Sequence, residues 1–293
     1  MITATLAGVA YPGFATPIQP VIPILVTGLV FTAFYGFNLE EITTQKISTP
    51  VLVSLVCLYL VVPVALYPVA AAVLSGEILL GVLIVLSAPL AAGSSIIWTR
   101  LSGGNTVLAT VIVLVSMLLS PLVTPSIISF FADPAVTISV SEMVVELTGI
   151  ILGAGVLAYL VPAGAVSDDQ LDSFSVTTIG VLIYAGVGGS ALAFGVSQLL
   201  FVGGIAVAAL CLSAGAAYGL YVRGMRSADC LSVFFASSMK NLSVSVMVGA
   251  MFGGGAIIAS ITAFHVAQQV VCSSLVQRLN APTRSKLSET VTA

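Results

Sequence analysis

Charged side chains make up only 6% of this chain, and that scarcity constrains the fold more than any motif does. A soluble domain carries about 25% charged residues, so a water-soluble globule of this size could not be coated with what is present. The surrounding solvent is therefore lipid, where every backbone N–H and C=O must find its partner inside the protein. Bundled helices or a closed β-barrel meet that demand. A barrel alternates apolar and polar residues over segments of about ten residues, whereas 51–67 and 107–119 are apolar on every face. The expected fold is an all-α polytopic membrane protein with helices of about 20 residues.

Proline, glycine and charge delimit ten apolar segments: 1–15, 18–37, 50–75, 78–102, 106–131, 139–160, 175–194, 198–222, 230–252 and 256–279. If successive segments cross in alternation, Lys46, Arg100, Arg223, Arg226, Arg278, Arg284 and Lys286 fall on one side, and Glu77, Asp133, Glu142 and Glu146 on the other. The positive-inside rule makes the basic side cytoplasmic. That places a tail, 280–293, in the cytoplasm of a cell whose inner (plasma) membrane holds the protein. The first segment is short for a span. The N-terminus is cytoplasmic if it spans and external if it does not. No basic stretch precedes it, so it does not read as a cleavable signal. The net charge of −3 and the lack of a basic block exclude nucleic acid as a partner. Cys57, Cys211, Cys230 and Cys272 have no metal or redox spacing and read as small helix-packing residues. No cofactor is expected. The bilayer is the one obligate partner, and the expected state is a monomer or weak homo-oligomer.

Shifting the chain by 150 residues lays the fourth segment on the ninth without a gap. Ser87 then meets Ser237, Ser95 meets Ser245, and Gly103-Gly104 meets Gly253-Gly254. The register implies two five-helix repeats, 1–131 and 139–279. Because five is odd, the second is inverted in the membrane, an architecture of transporters whose site lies at the repeat interface. In the same register 7–12 resembles 154–159, so the first helix looks clipped at its N-terminus.

Both members of the fourth/ninth pair are interrupted. Pro89 removes a backbone donor in the fourth, beside the small residues 91–95. In the ninth, Ser237, Ser238, Lys240, Asn241, Ser243 and Ser245 gather polar groups at mid-membrane depth. Matching interruptions in two repeats point to a transport site, with freed N–H groups favouring anions and freed carbonyls favouring cations. Lys240 is the one basic residue outside the cytoplasmic set. A lysine at that depth costs on the order of 2.5–3.5 kcal/mol, so it must face a wet cavity or the broken backbone. It could bind an anion directly, lie among carbonyls in place of a metal cation, carry a proton, or serve structure alone. His265, Gln268 and Gln269 share one face of the tenth segment by their i, i+3, i+4 spacing, and the two amides are expected to face the cavity. For His265 a cavity-facing and a packed core role stay open. The candidate substrate-binding set is Ser94, Ser95, Ser237, Lys240, Asn241, His265, Gln268 and Gln269. Asn105 reads as a hinge or cap, Trp98 and Arg100 as interfacial anchors, and Asp168, Asp169 and Asp172 as a solvated loop. No Ser/His/Asp set or carboxylate pair shares a depth, so an enzyme is not expected.

The stretch 88–125, with its proline break, Gly103-Gly104-Asn105 and a helix ending Ser120-Pro121-Leu122-Val123-Thr124-Pro125, resembles the bile acid:sodium symporter family within the wider bile, arsenite and auxin carrier superfamily. Met239-Lys240-Asn241 is similar to that family's Met-Gln-Asn. The resemblance implies ten helices in inverted repeats, crossed fourth and ninth helices in a core domain, a mobile panel domain, and alternating access for small organic anions. It also implies sodium sites built from carboxylate, amide and hydroxyl oxygens, and these this chain alters. The family's glutamate position carries Ala236, its glutamine Lys240, its Asn after the first break Ser95, and its fifth-helix hydroxyl positions Ala109 and Val113, with Ser116 nearby. Its tenth-helix His-Asn pair aligns with Gln268-Gln269. A hard cation needs several oxygen ligands, so sodium-independent transport with Lys240 in place of the ion is expected. The alternatives are an arsenite-type or other efflux carrier, although no cysteine lies in the fourth-segment break, and a membrane ligand sensor that does not transport.

Overall fold

The fold is known from a computed structural model that describes residues 2–11, 13, 15–35, 48–133, 139–188, 195–253 and 255–291. Lys46, Gly254 and the segment ends at 36–37 and 189–194 lie outside the described residues. Within them all regular structure is helical. The continuous helix Ser48–Ala71, α8 (Thr106–Phe131), α9 (Val140–Leu160), α11 (Val196–Tyr221) and the portion Gly255–Leu279 of α14 (Gly255–Val291) are long and apolar enough to cross a bilayer. The protein is a multi-pass membrane protein.

The interrupted elements are built differently. α6 (Gly76–Ser87) and α7 (Ala92–Leu101) have 12 and 10 residues, and so do α12 (Ser227–Ser238) and α13 (Leu242–Met251). At about 1.5 Å per residue each piece reaches little more than halfway across a hydrocarbon core of about 30 Å. The expected breaks thus lie at 88–91 and 239–241. Pro89 lacks the N–H that would continue the first helix. The second has no proline, and there Asn241 caps a new helix by accepting from Val244 N at 3.1 Å.

The N-terminal part departs from the expected segments. α1 (Ile2–Ala10) is followed by a short α2 (Ala15–Ile18), a 3-10 turn (Gln19–Val21) and α3 (Ile22–Phe34). Pro17, Pro20 and Pro23 withhold N–H groups at three-residue spacing, and the chain passes through the 3-10 turn before α3 begins at Ile22. Ser48–Ala71 is likewise not uniform: α4 (Ser48–Val56) passes through π-type turns (Cys57–Val61) into α5 (Val62–Ala71). α10 (Asp168–Gly188) begins earlier than expected. The acidic stretch read as a loop forms its first turns, because Ser167 and Gln170 cap it reciprocally: Gln170 N donates to Ser167 Oγ and Ser167 N to Gln170 Oε1. Acidic residues suit that position next to the positive end of the helix dipole.

One continuous apolar core joins these helices. α6 approaches α14 closely at Gly81. A Cβ there would lie 2.5 Å from the Ile257 carbonyl oxygen and inside contact distance of Ser260 Oγ. Small residues at such crossings let helix backbones touch in lipid, where packing and not the hydrophobic effect drives association.

Candidate functional site

The two broken helices meet at their breaks. Leu90 and Lys240 pair as a single antiparallel bridge, in which Ala91 N donates to Met239 O and Asn241 N to Pro89 O, both at 2.8 Å. The pair 91/239 maps onto 241/89 under the 150-residue shift, so the bridge is symmetric in the register read from the sequence. Gly103 and Gly253, 150 apart, both turn the chain with positive φ, 75° and 74°. Residues with a side chain strongly resist that conformation, so each pieced helix ends on a glycine.

Breaking a helix in lipid frees carbonyls that must be paired, and at the first break each one is. Leu86 cannot be served by Pro89, which has no N–H, or by Leu90, whose N–H donates to Ser116 Oγ. Lys240 Nζ serves it at 2.6 Å and also reaches Ala88 O at 3.3 Å. Ser87 O accepts from Thr124 Oγ1 at 2.9 Å and Leu90 O from Asn241 Nδ2 at 3.3 Å. The third acceptor of Lys240 Nζ is Leu58 O at 3.3 Å, a carbonyl supplied by the π-type turns. Four residues on, Val62 N donates to Cys57 O; five residues on, Pro63 has no N–H. Lys240 is 2% exposed, and its three donors match these three carbonyls. At the second break the donors are neutral: Ser213 Oγ serves Ser237 O and Gln268 Nε2 serves Ser238 O.

A cavity of about 120 Å³ lies beside the crossing. Its floor is the start of both short helices, Ala92–Ser94 and Asn241–Ser243, and its walls come from Leu29 and Thr32 of α3, Ile179 of α10, and His265 and Gln269 of α14. The first N–H groups of a helix have no intrahelical acceptor, and α7 has no side-chain cap, so two positive helix ends converge on one space. Ser94 Oγ and His265 Nδ1 are buried there without partners among the described residues.

The structure thus divides the residues proposed from sequence. Ser94, Asn241, His265 and Gln269 line the cavity. Lys240 sits behind it, turned to the carbonyls. Gln268 is fully buried and faces the second break. Ser95 is fully buried with no hydroxyl partner among the described residues, and Ser237 Oγ bonds back to Val233 O within its own helix. Sequence reasoning missed Leu58, Thr124 and Ser213, which act through a backbone carbonyl or as lone hydroxyls in apolar helices; Pro63 was the available signal for the first. Asn105 caps α8 and also donates to Asp229 Oδ1. Trp98, read as an interfacial anchor, donates its Nε1–H to Gln269 Oε1 at 3.0 Å. Among the described residues no cluster of His, Cys, Asp and Glu could hold a metal ion.

A multi-pass helical protein with two interrupted helices meeting beside a cavity has the form of a membrane transporter. The model of the Sodium Bile acid symporter family matches residues 23–194. The chain belongs to that family, a group of transporters rather than enzymes. The match runs from α3 through α10 and includes the first break; Lys240 and the second break lie beyond it. No curated protein matches the chain.

Proposed function

We propose that the protein is a secondary active or facilitative carrier of a small organic anion that works by alternating access without bound sodium. Its ten helices form two inverted five-helix repeats in the inner membrane, with the C-terminus in the cytoplasm. The observation that carries the reading is Lys240 Nζ held by the Leu58, Leu86 and Ala88 carbonyls at the first break. Carbonyl clusters at broken helices are cation sites, and here the cation belongs to the chain. Ala236, Ala109 and Val113 add no oxygen where further ligands are expected. The converging starts of α7 and α13, with Ser94 and Asn241 between them, favour an anion in the cavity, and the buried ammonium behind them adds to that field without touching the ligand. The symmetry of the Leu90–Lys240 bridge supports the inverted repeat.

The test is flux into proteoliposomes. Uptake of radiolabelled small carboxylates should persist unchanged when choline replaces sodium. A steep sodium dependence overturns the role given to Lys240, and saturable binding without flux makes the protein a sensor instead.

A further inference from the structure

The hydrogen bonds that link Trp98, Gln269 and His265 have a direction. An indole N–H can only donate, so the amide atom 3.0 Å from Trp98 Nε1 is the carbonyl oxygen of Gln269. The amide nitrogen is then committed to the other side, 3.2 Å from His265 Nε2. An amide nitrogen does not accept, so in the neutral ring Nε2 accepts and the proton resides on Nδ1. Nδ1 is buried, has no hydrogen-bond partner among the described residues, and belongs to a ring that lines the cavity. The Lys240 backbone lies close enough to the ring for a weak hydrogen-bonding interaction, though Nδ1 meets no partner in full hydrogen-bond geometry among the described residues.

We infer that Trp98 is a positioning residue: acting through Gln269, it holds His265 as the Nδ1–H tautomer, so that the cavity wall presents a donor and selects a ligand group that accepts, such as a carboxylate. The identity of the ligand rests on the anion reading above; the tautomer does not. Free histidine side chains favour the opposite tautomer, so the wild-type ring is a sensitive reporter of the chain of bonds.

His265 is the single histidine in the sequence. Nitrogen-labelled histidine in protein purified through a histidine-free tag therefore reports this ring alone. Resonance measurements on neutral, ligand-free wild type should show a protonated Nδ1 and a bare Nε2. In Trp98→Phe the amide is free to turn, and the ring should move toward Nε2–H. Gln269→Glu offers an acceptor to both neighbours and should force Nε2–H even if the tryptophan variant does not fold. An Nε2–H ring in wild type, or an unchanged ring in the folded variants, overturns the inference. Titration with acetate and propionate, against acetamide and propionamide as neutral controls, should perturb Nδ1–H in wild type, with affinity about tenfold weaker in Trp98→Phe. The expected tautomer with no carboxylate bound leaves the positioning role standing and removes the anion reading. Carboxylate binding to an Nε2–H ring does the reverse.

Discussion

At Lys240 three donors meet three carbonyls that no backbone N–H serves, so the side chain completes the fold at the crossing as well as charging it. Lys240→Met keeps the volume but leaves all three carbonyls without their donor. At about 1–3 kcal/mol for each buried group left unpaired, the loss should exceed about 3 kcal/mol and appear as a much lower melting temperature in detergent. Asn241 separates two roles that overlap in space. Asn241→Ala loses the cap on Val244 N and the bond to Leu90 O, a cost of about 1–2 kcal/mol in thermal unfolding. Asn241→Asp keeps the cap but sets a negative charge at the cavity, so it should weaken anion binding more than it lowers stability. Lys240 and Asn241 stood out in the sequence because polar side chains deep in an apolar helix are costly. What the ammonium would touch was not legible, because its partners are main-chain oxygens and residue type says little about those. The bond made by Trp98 was not legible for a related reason: its partner is 171 positions away, and near a segment end a tryptophan looks like an anchor.

Elements set where those side chains can stand. The π-type turns at Cys57–Val61 shift the hydrogen-bonding register ahead of Pro63, and this makes the Leu58 carbonyl available to α12–α13. α6 is fixed from the other side by its contact with α14 at Gly81. Gly81→Ala drives a methyl against the Ile257 backbone, which cannot turn aside, and overpacking of this kind costs about 1–3 kcal/mol. Detergent stability should fall accordingly, and Gly81→Leu should give no folded protein. The breaks were readable from Pro89 and from the polar run around Lys240, because a missing N–H and buried hydroxyls both disrupt a helix in lipid. The bounds of α8 were readable from its unbroken hydropathy, even across Pro121 and Pro125. The early start of α10 was not, since its charged first turns look like a loop until the Ser167–Gln170 cap is noticed.

For the molecule as a whole, the charge pattern makes a prediction about sidedness. In a chain whose four native cysteines are replaced, cysteine at Glu77 should react with an impermeant maleimide on intact cells, and cysteine at Arg226 only after the membrane is opened. Labelling of both from one face would end the alternating count and the inverted repeat with it. The ammonium at the crossing also has a thermodynamic consequence. A dissolved ion does work for a carrier because it binds on one side and leaves on the other, and so spends its gradient. Nζ is bonded to the polypeptide and can leave on neither. On the reading proposed here, each cycle returns that charge to its starting point and gains nothing from it. Unless a proton supplies the drive, net flux must follow the anion's own electrochemical gradient, stop when that gradient vanishes and reverse when it inverts.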